Sequence, residues 1–114
     1  MIQLKDNREN GLLEIKRIIS KLEYILELNK DILIWNAYSY SDNYIDNYVL
    51  NFIGDSNEII CEYKLFSIYE PFTYILNELY KNRNKISINN ELKNNLLIYI
   101  TNVRDNKINF ILNG

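Results

Sequence analysis

Residues 47–68 read NYVLNFI, GDSN and EIICEYKLFSI in succession, and this stretch decides the fold. Apolar side chains alternate with more polar ones before and after Gly54-Asp55-Ser56-Asn57, as in strands with one buried face. Glycine, aspartate, serine and asparagine are the residues that favour tight turns. The stretch therefore predicts two antiparallel strands, over 47–53 and 58–68, with their apolar face on the core.

The residues before this hairpin predict one helix and one more strand. Apolar residues in 9–30 recur at spacings of three and four, as on the buried face of an amphipathic helix. They are Leu12, Ile15, Ile19, Leu22 and Leu26. We expect Asn7 or Asn10 to cap this helix. Residues 32–41 predict a strand with Trp35 in the core, followed by a turn at Ser41-Asp42-Asn43.

The residues after the hairpin predict a second helix and a second hairpin. The helix covers about 71–82, with Pro71 in its first turn. Residues 86–94 fit either a short extended piece or a single helical turn. Alternating apolar residues then predict strands over 96–103 and 108–112, joined by a turn at 104–107. The order α-β-β-β-α-β-β makes an α+β fold, a two-layer sandwich with a mostly antiparallel sheet.

Composition predicts one domain spanning residues 1–114. Hydrophobic residues make up 47% of the chain and charged residues 25%, which suffices for a core of its own. Cys61 is the only cysteine, so no disulfide forms within the chain, and we expect it to be an inert strand residue. No apolar run resembles a signal peptide or a bilayer-spanning helix, so we expect a cytoplasmic protein.

The sequence lacks the residues of most catalytic and metal sites. It has no histidine, one cysteine, and glycines only at positions 11, 54 and 114. These counts exclude a serine–histidine–aspartate triad, a standard zinc site and a phosphate-binding glycine loop. We therefore expect a protein that is not an enzyme and uses no cofactor or metal. The catalytic alternative is a carboxylate pair with a hard cation, either Asp42 with Asp46 or Glu58 with Glu62.

The middle of the chain is acidic and rich in tyrosine. Residues 42–70 carry six acids against Lys64 alone, a net charge of −5 in a chain of net charge −2. A surface of one sign attracts partners of the other sign, and tyrosine is enriched at protein interfaces. We predict a partner-binding face made of Asp42, Tyr44, Asp46, Tyr48, Asp55, Glu58, Glu62 and Glu70. We expect Tyr63, Tyr80 and Tyr99 to pack in the core or on the sheet.

Three segments carry a family resemblance: the tryptophan-bearing strand at 34–40, ILNELY at 75–80, and LIYITNVRDNKINF at 97–110. Together with the length and element order, they resemble the YezG-like immunity proteins, which neutralise nuclease toxins of bacterial polymorphic toxin systems. The last segment looks like the closing hairpin of that family. The resemblance implies an antitoxin of a contact-dependent inhibition system, bound to a cognate toxin domain.

Two functions therefore stay open, and the sequence also leaves open whether the protein is a homodimer. The first hypothesis is an immunity protein that binds a basic nuclease toxin through the acidic face. The alternative is a phage-encoded inhibitor of a host nucleic-acid-binding defence complex, of the anti-CRISPR type. The basic residues from Lys81 to Lys93 are sparse, so we expect no direct binding to nucleic acid or membrane. A homodimer that pairs through a tyrosine-rich strand also stays open.

Overall fold

In a computed structural model, the backbone is described for residues 2–113 and the side chains for residues 11–103. The elements are α1 (Ile2–Ile25), β1 (Trp35–Asp42), β2 (Ile45–Ile53), β3 (Ile59–Lys64), α2 (Pro71–Lys81), a 3-10 helix (Arg83–Ile86) and α3 (Asn90–Asn113). The three strands form one antiparallel sheet in the order β1-β2-β3. The α+β class is confirmed, but the described sheet has three strands where the sequence predicted five.

The core lies between the helices and one face of the sheet. Leu50 pairs with Tyr63 and Phe52 with Cys61, and all four side chains are buried. Opposite residues share a face, so we call this the inner face of the sheet. The helical residues that pack with it are Ile15, Ile18, Ile19, Leu22, Leu26, Phe72, Ile75, Leu76, Leu79, Leu92 and Leu96.

The hairpin of β2 and β3 forms as predicted around its glycine. The Gly54 N–H donates to the Glu58 carbonyl at 2.9 Å, closing the turn. A Cβ on Gly54 would lie 2.7 Å from the carbonyl oxygen of Lys85, so a side chain has no room there. β3 is shorter than the predicted 58–68, because it ends at Lys64, whose carbonyl accepts the Ser67 N–H and hydroxyl.

α2 matches the predicted helix at both ends. Pro71 occupies its first turn, and the Glu70 carboxylate accepts the Phe72 N–H at 3.2 Å. That bond satisfies one of the N–H groups that the first turn of a helix leaves without an internal partner.

The predicted C-terminal hairpin is wrong, because residues 90–113 form α3. Asn89 caps this helix, its side-chain oxygen accepting the Leu92 N–H at 3.2 Å. The Asn95 side chain donates to the carbonyls of Leu26 and Glu27 at 2.9 and 3.1 Å, which ties α3 to the end of α1. The predicted turn at 104–107 lies within the helix, and its side chains lie outside the described residues.

α1 begins earlier than predicted and presents a narrower buried stripe. It starts at Ile2, so the predicted caps Asn7 and Asn10 lie inside the helix. Leu12, predicted in the stripe, is exposed. Gly11 lies directly against the ring of Tyr48, a contact that leaves no room for a Cβ.

Trp35 lies outside the core, contrary to the sequence prediction. Its side chain is 40% exposed, and every residue of β1 is exposed. The helices pack against β2 and β3 and leave β1 uncovered. The first strand is therefore an open edge.

Candidate protein-interaction surfaces

The predicted acidic face is divided between the two ends of the sheet. Asp42, Tyr44 and Asp46 lie in or beside the connection from β1 to β2. Asp55 and Glu58 lie in the turn from β2 to β3, at the far end of β2. β2 has nine residues, so about 27 Å separates these two groups. The eight predicted residues do not form one surface.

Several of the predicted acids hold local structure. The Asp55 carboxylate accepts the N–H and the hydroxyl of Ser87, both at 2.9 Å, and so anchors the approach to α3. Glu58 accepts the Ser56 N–H at 2.9 Å within the turn, and Glu70 caps α2. Glu62 is exposed on β3, away from both ends. Folding alone therefore accounts for Asp55, Glu58 and Glu70.

The tyrosines and the cysteine divide between core and surface. Tyr48 is only 7% exposed because it packs against Gly11, so we remove it from the predicted face. Tyr63 is buried, and Tyr80 and Tyr99 pack against the core cluster, as the sequence predicted. Tyr99 does so from α3 instead of a strand. Burial raises the pKa of the Cys61 thiol to about 12, so the thiol is neutral at physiological pH.

The first carboxylate pair considered for catalysis points in two directions. Asp46 lies opposite Ser41 and accepts its hydroxyl at 2.8 Å, whereas Asp42 follows the alternation of Tyr38 and Tyr40 on the other face. A hard cation needs several oxygens in one coordination sphere. Among the side chains of residues 11–103, no three acids or cysteines come together as a metal-binding group.

The connection from β1 to β2 holds an exposed tyrosine in a strained backbone. Asn43 and Tyr44 have φ values of 51° and 67°, the geometry of a type I′ turn. Positive φ is unfavourable for a bulky side chain. The side chain at this position is nevertheless a tyrosine, and it is 99% exposed. Tyr44 therefore adds strain to the turn without adding to the packing of the described residues.

A second loop brings more aromatic side chains to the same end of the sheet. The Leu65 N–H donates to the Tyr48 carbonyl at 2.9 Å, which places the loop after β3 beside the start of β2. This loop carries Phe66, at a φ of 64°, and Tyr69, and both side chains are exposed. We define the hairpin end as residues 42–46 and 66–70. It is the end of the sheet that carries the turn from β1 to β2, opposite the turn from β2 to β3. The sequence prediction missed Phe66 because it placed that residue inside a strand.

The two edges of the sheet differ in how their backbone groups are bonded. On β3, the outward carbonyl of Ile60 accepts the Asn82 side chain at 2.9 Å. The next outward carbonyl, of Glu62, accepts the Tyr74 hydroxyl at 3.0 Å. Tyr74 of α2 and Asn82, which directly follows this helix, thus close the β3 edge to further strands.

The edge of β1 is open by the same criterion. The Ile53 N–H donates to the Ile34 carbonyl at 2.9 Å, and bonded pairs alternate along an antiparallel ladder. The even-numbered residues of β1 therefore bond to β2, and the odd-numbered ones face outward. No backbone bond from any other described residue reaches these outward groups. The outward residues are Trp35, Ala37, Ser39 and Ser41.

The outer face of the sheet carries a small aromatic layer beside this edge. The rings of Tyr38 and Tyr40 lie 6.4 Å apart, and the Lys64 ammonium lies 5.5 Å from the Tyr40 ring centre. A hydrogen bond with Tyr40 raises the pKa of Lys64. Val49, which pairs with Tyr38, is buried yet lies outside the core cluster. This layer shields the centre of the outer face and leaves its aromatic rings in solvent.

No protein-family model, curated protein or solved structure matches the chain. Within the part of the chain that the structure describes, no helix is both long and apolar enough to cross a bilayer. The hairpin end and the open edge of β1 are the two candidate interaction surfaces of the described residues.

Proposed function

We propose that this chain is an immunity protein that binds and neutralises a cognate toxin domain through its hairpin end. The observation that carries the proposal is Tyr44, a fully exposed aromatic residue in a backbone conformation that suits glycine. Strained residues of this kind concentrate at binding and catalytic sites. Exposed aromatic side chains are also the usual anchors of protein interfaces. Phe66 and Tyr69 extend the same surface.

The charge around Tyr44 supports a basic partner. Asp42 and Asp46 lie on either side of the turn, one toward each face of the sheet. A nuclease toxin holds phosphates with a basic groove, so carboxylates at this end would speed its association. In this proposal the toxin is a nuclease. Tyr44 supplies most of the binding affinity of the complex.

The test begins with capture. Tagged protein is used at moderate salt to capture partners from a lysate of the source cells, and mass spectrometry identifies them. We expect one stoichiometric, basic, toxin-like domain, encoded beside the chain, whose toxicity on co-expression the wild-type chain relieves. A captured defence nuclease, with phage structural genes beside the chain, would instead establish the phage-inhibitor alternative.

Three variants then locate the contact on the captured domain. We expect Tyr44→Ala to weaken binding by about 30-fold, as for an interface anchor. Asp42→Lys should slow association by about tenfold and reduce its salt dependence. The control Glu27→Lys makes the same charge change at an exposed residue just after α1. Glu27 lies about 24 Å along the helix from Gly11, which packs against Tyr48 near the start of β2. The control should leave both quantities unchanged. Wild-type affinity in Tyr44→Ala would exclude Tyr44 as the anchor and would remove the observation on which the proposal rests.

A further inference from the structure

The open edge of β1 is complementary to itself. Two antiparallel copies related by a two-fold axis place side chains of one face opposite each other. With the axis at Tyr38, Trp35 lies opposite Ser41 and Ala37 opposite Ser39, and each is a hydrogen-bonded pair. All four outward residues then use both N–H and C=O. Moving the axis to Ala37 or Ser39 leaves Ser41 or Trp35 opposite a residue outside the strand.

We propose that β1 pairs in this register with β1 of a second copy, which joins two three-stranded sheets into one of six strands. The charge pattern favours a second copy as the occupant. Residues 35–41 carry no charge, so no like charges meet across the axis, and Asp42 falls opposite Ile34 of the other copy. β1 also lacks lysine, proline and bulges, the features by which exposed edges avoid pairing.

Aromatic side chains add contact across the axis. Tyr38 is 50% exposed and meets its own copy at a non-hydrogen-bonded pair, where side chains approach most closely. Tyr40 falls opposite Asn36, so four tyrosine rings form one patch on the outer face. Trp35, Tyr38 and Tyr40 each present on the order of 100 Å². With both backbones the dimer buries roughly 1,000 Å², the range of weak, concentration-dependent complexes.

The dimer leaves both hairpin ends free. The two strands run in opposite directions, so the hairpin end of each copy projects from an opposite end of the shared sheet. Toxin binding would use residues 42–46 and 66–70, whereas dimerisation uses residues 35–41. Each proposal therefore stands or fails independently of the other.

Cysteine cross-linking tests the register. In a non-hydrogen-bonded pair the Cα atoms lie about 4.5 Å apart, within the range of a disulfide. Oxidised Tyr38→Cys should form a covalent dimer. The matched control Tyr40→Cys should not, since its two thiols would lie about 13 Å apart along the strands. Buried Cys61 leaves the readout clean. Equal cross-linking of the two variants would overturn the register.

Charge complementation tests the partner. Wild-type protein should dimerise with a dissociation constant in the micromolar range, measured by sedimentation equilibrium. Tyr38→Lys and Tyr38→Glu should each be monomeric at about 100 µM, and an equimolar mixture should recover the dimer. Far-UV circular dichroism confirms that both variants fold. A monomeric wild-type protein at about 300 µM, or Tyr38→Lys that dimerises as well as wild type, would overturn the proposal.

Discussion

At the scale of single residues, Tyr44 links strain to function. Its φ of 67° brings the Cβ close to the following carbonyl, a contact that glycine avoids. We expect Tyr44→Gly to raise the free energy of unfolding by about 1 kcal/mol, measured by urea unfolding. Tyr69→Gly is the matched control, because Tyr69 is also fully exposed but is not at positive φ. That variant should lose about 0.5 kcal/mol, and equal losses in both would contradict the strain at Tyr44.

The sequence predicted the type of residue in the candidate surface better than its location. Counting charges along the chain identified Asp42 and Asp46, which do lie at the hairpin end. The same count included Asp55, whose carboxylate is bonded to Ser87 thirty-two positions away. A local pattern does not contain such long-range partners. It also does not show that Tyr48 faces α1.

At the scale of elements, α3 depends on the N-terminal cap Asn89, which the local sequence does not identify by itself. Asn89 accepts the Leu92 N–H through its oxygen and donates to the Ile32 carbonyl at 2.8 Å through its nitrogen. We expect Asn89→Ala to lower the free energy of unfolding by about 1–2 kcal/mol, since both bonds are lost. Asn90→Ala is the control in the exposed first turn and should change stability by less than about 0.5 kcal/mol. Urea unfolding of both variants measures the difference, and equal effects would show that Asn89 is not the cap.

The same helix shows why the C-terminal hairpin was mispredicted. Residues 96–103 are rich in branched apolar side chains and alternate well enough to suit a strand. Leu92, Leu96 and Ile100 also recur every four residues, which suits a helix equally well. The bonds from Asn95 to the end of α1 favour the helix, and they join residues nearly seventy positions apart. Tertiary contacts decided between two acceptable local patterns.

At the scale of the whole molecule, the β3 edge of the sheet is closed to further strands and the β1 edge is open. The hairpin of β2 and β3 and the α2 helix were predictable, because turn residues and helical spacing are local. The sequence left pairing through a tyrosine-rich strand open, but it could not show that β1 forms the edge, because it also predicts two further strands for this sheet. With residues 90–113 in a helix, β1 is the last strand on its side of the described sheet.

The stability of the whole molecule should fall in alkali, because folding removes three acidic groups wholly or partly from water. Burial raises the pKa of Cys61 to about 12 and also raises the pKa values of Tyr63 and Tyr74. Above about pH 9 the unfolded chain loses the thiol proton while the folded chain keeps it, so stability falls as pH rises. We expect a loss approaching about 1 kcal/mol per pH unit from Cys61 between pH 9 and 10.

Cys61→Val removes this proton and keeps a strand-forming side chain of similar size on the inner face. Urea midpoints at pH 7, 9 and 10 should therefore fall less steeply in Cys61→Val than in wild type. The phenols titrate higher than a free thiol, so the remaining loss should appear mainly above pH 10. Parallel profiles for the two proteins would mean that the Cys61 thiol is ionised in the folded state. It would then be open to reaction with a thiol probe at pH 9, whereas a buried neutral thiol stays unmodified until the chain unfolds.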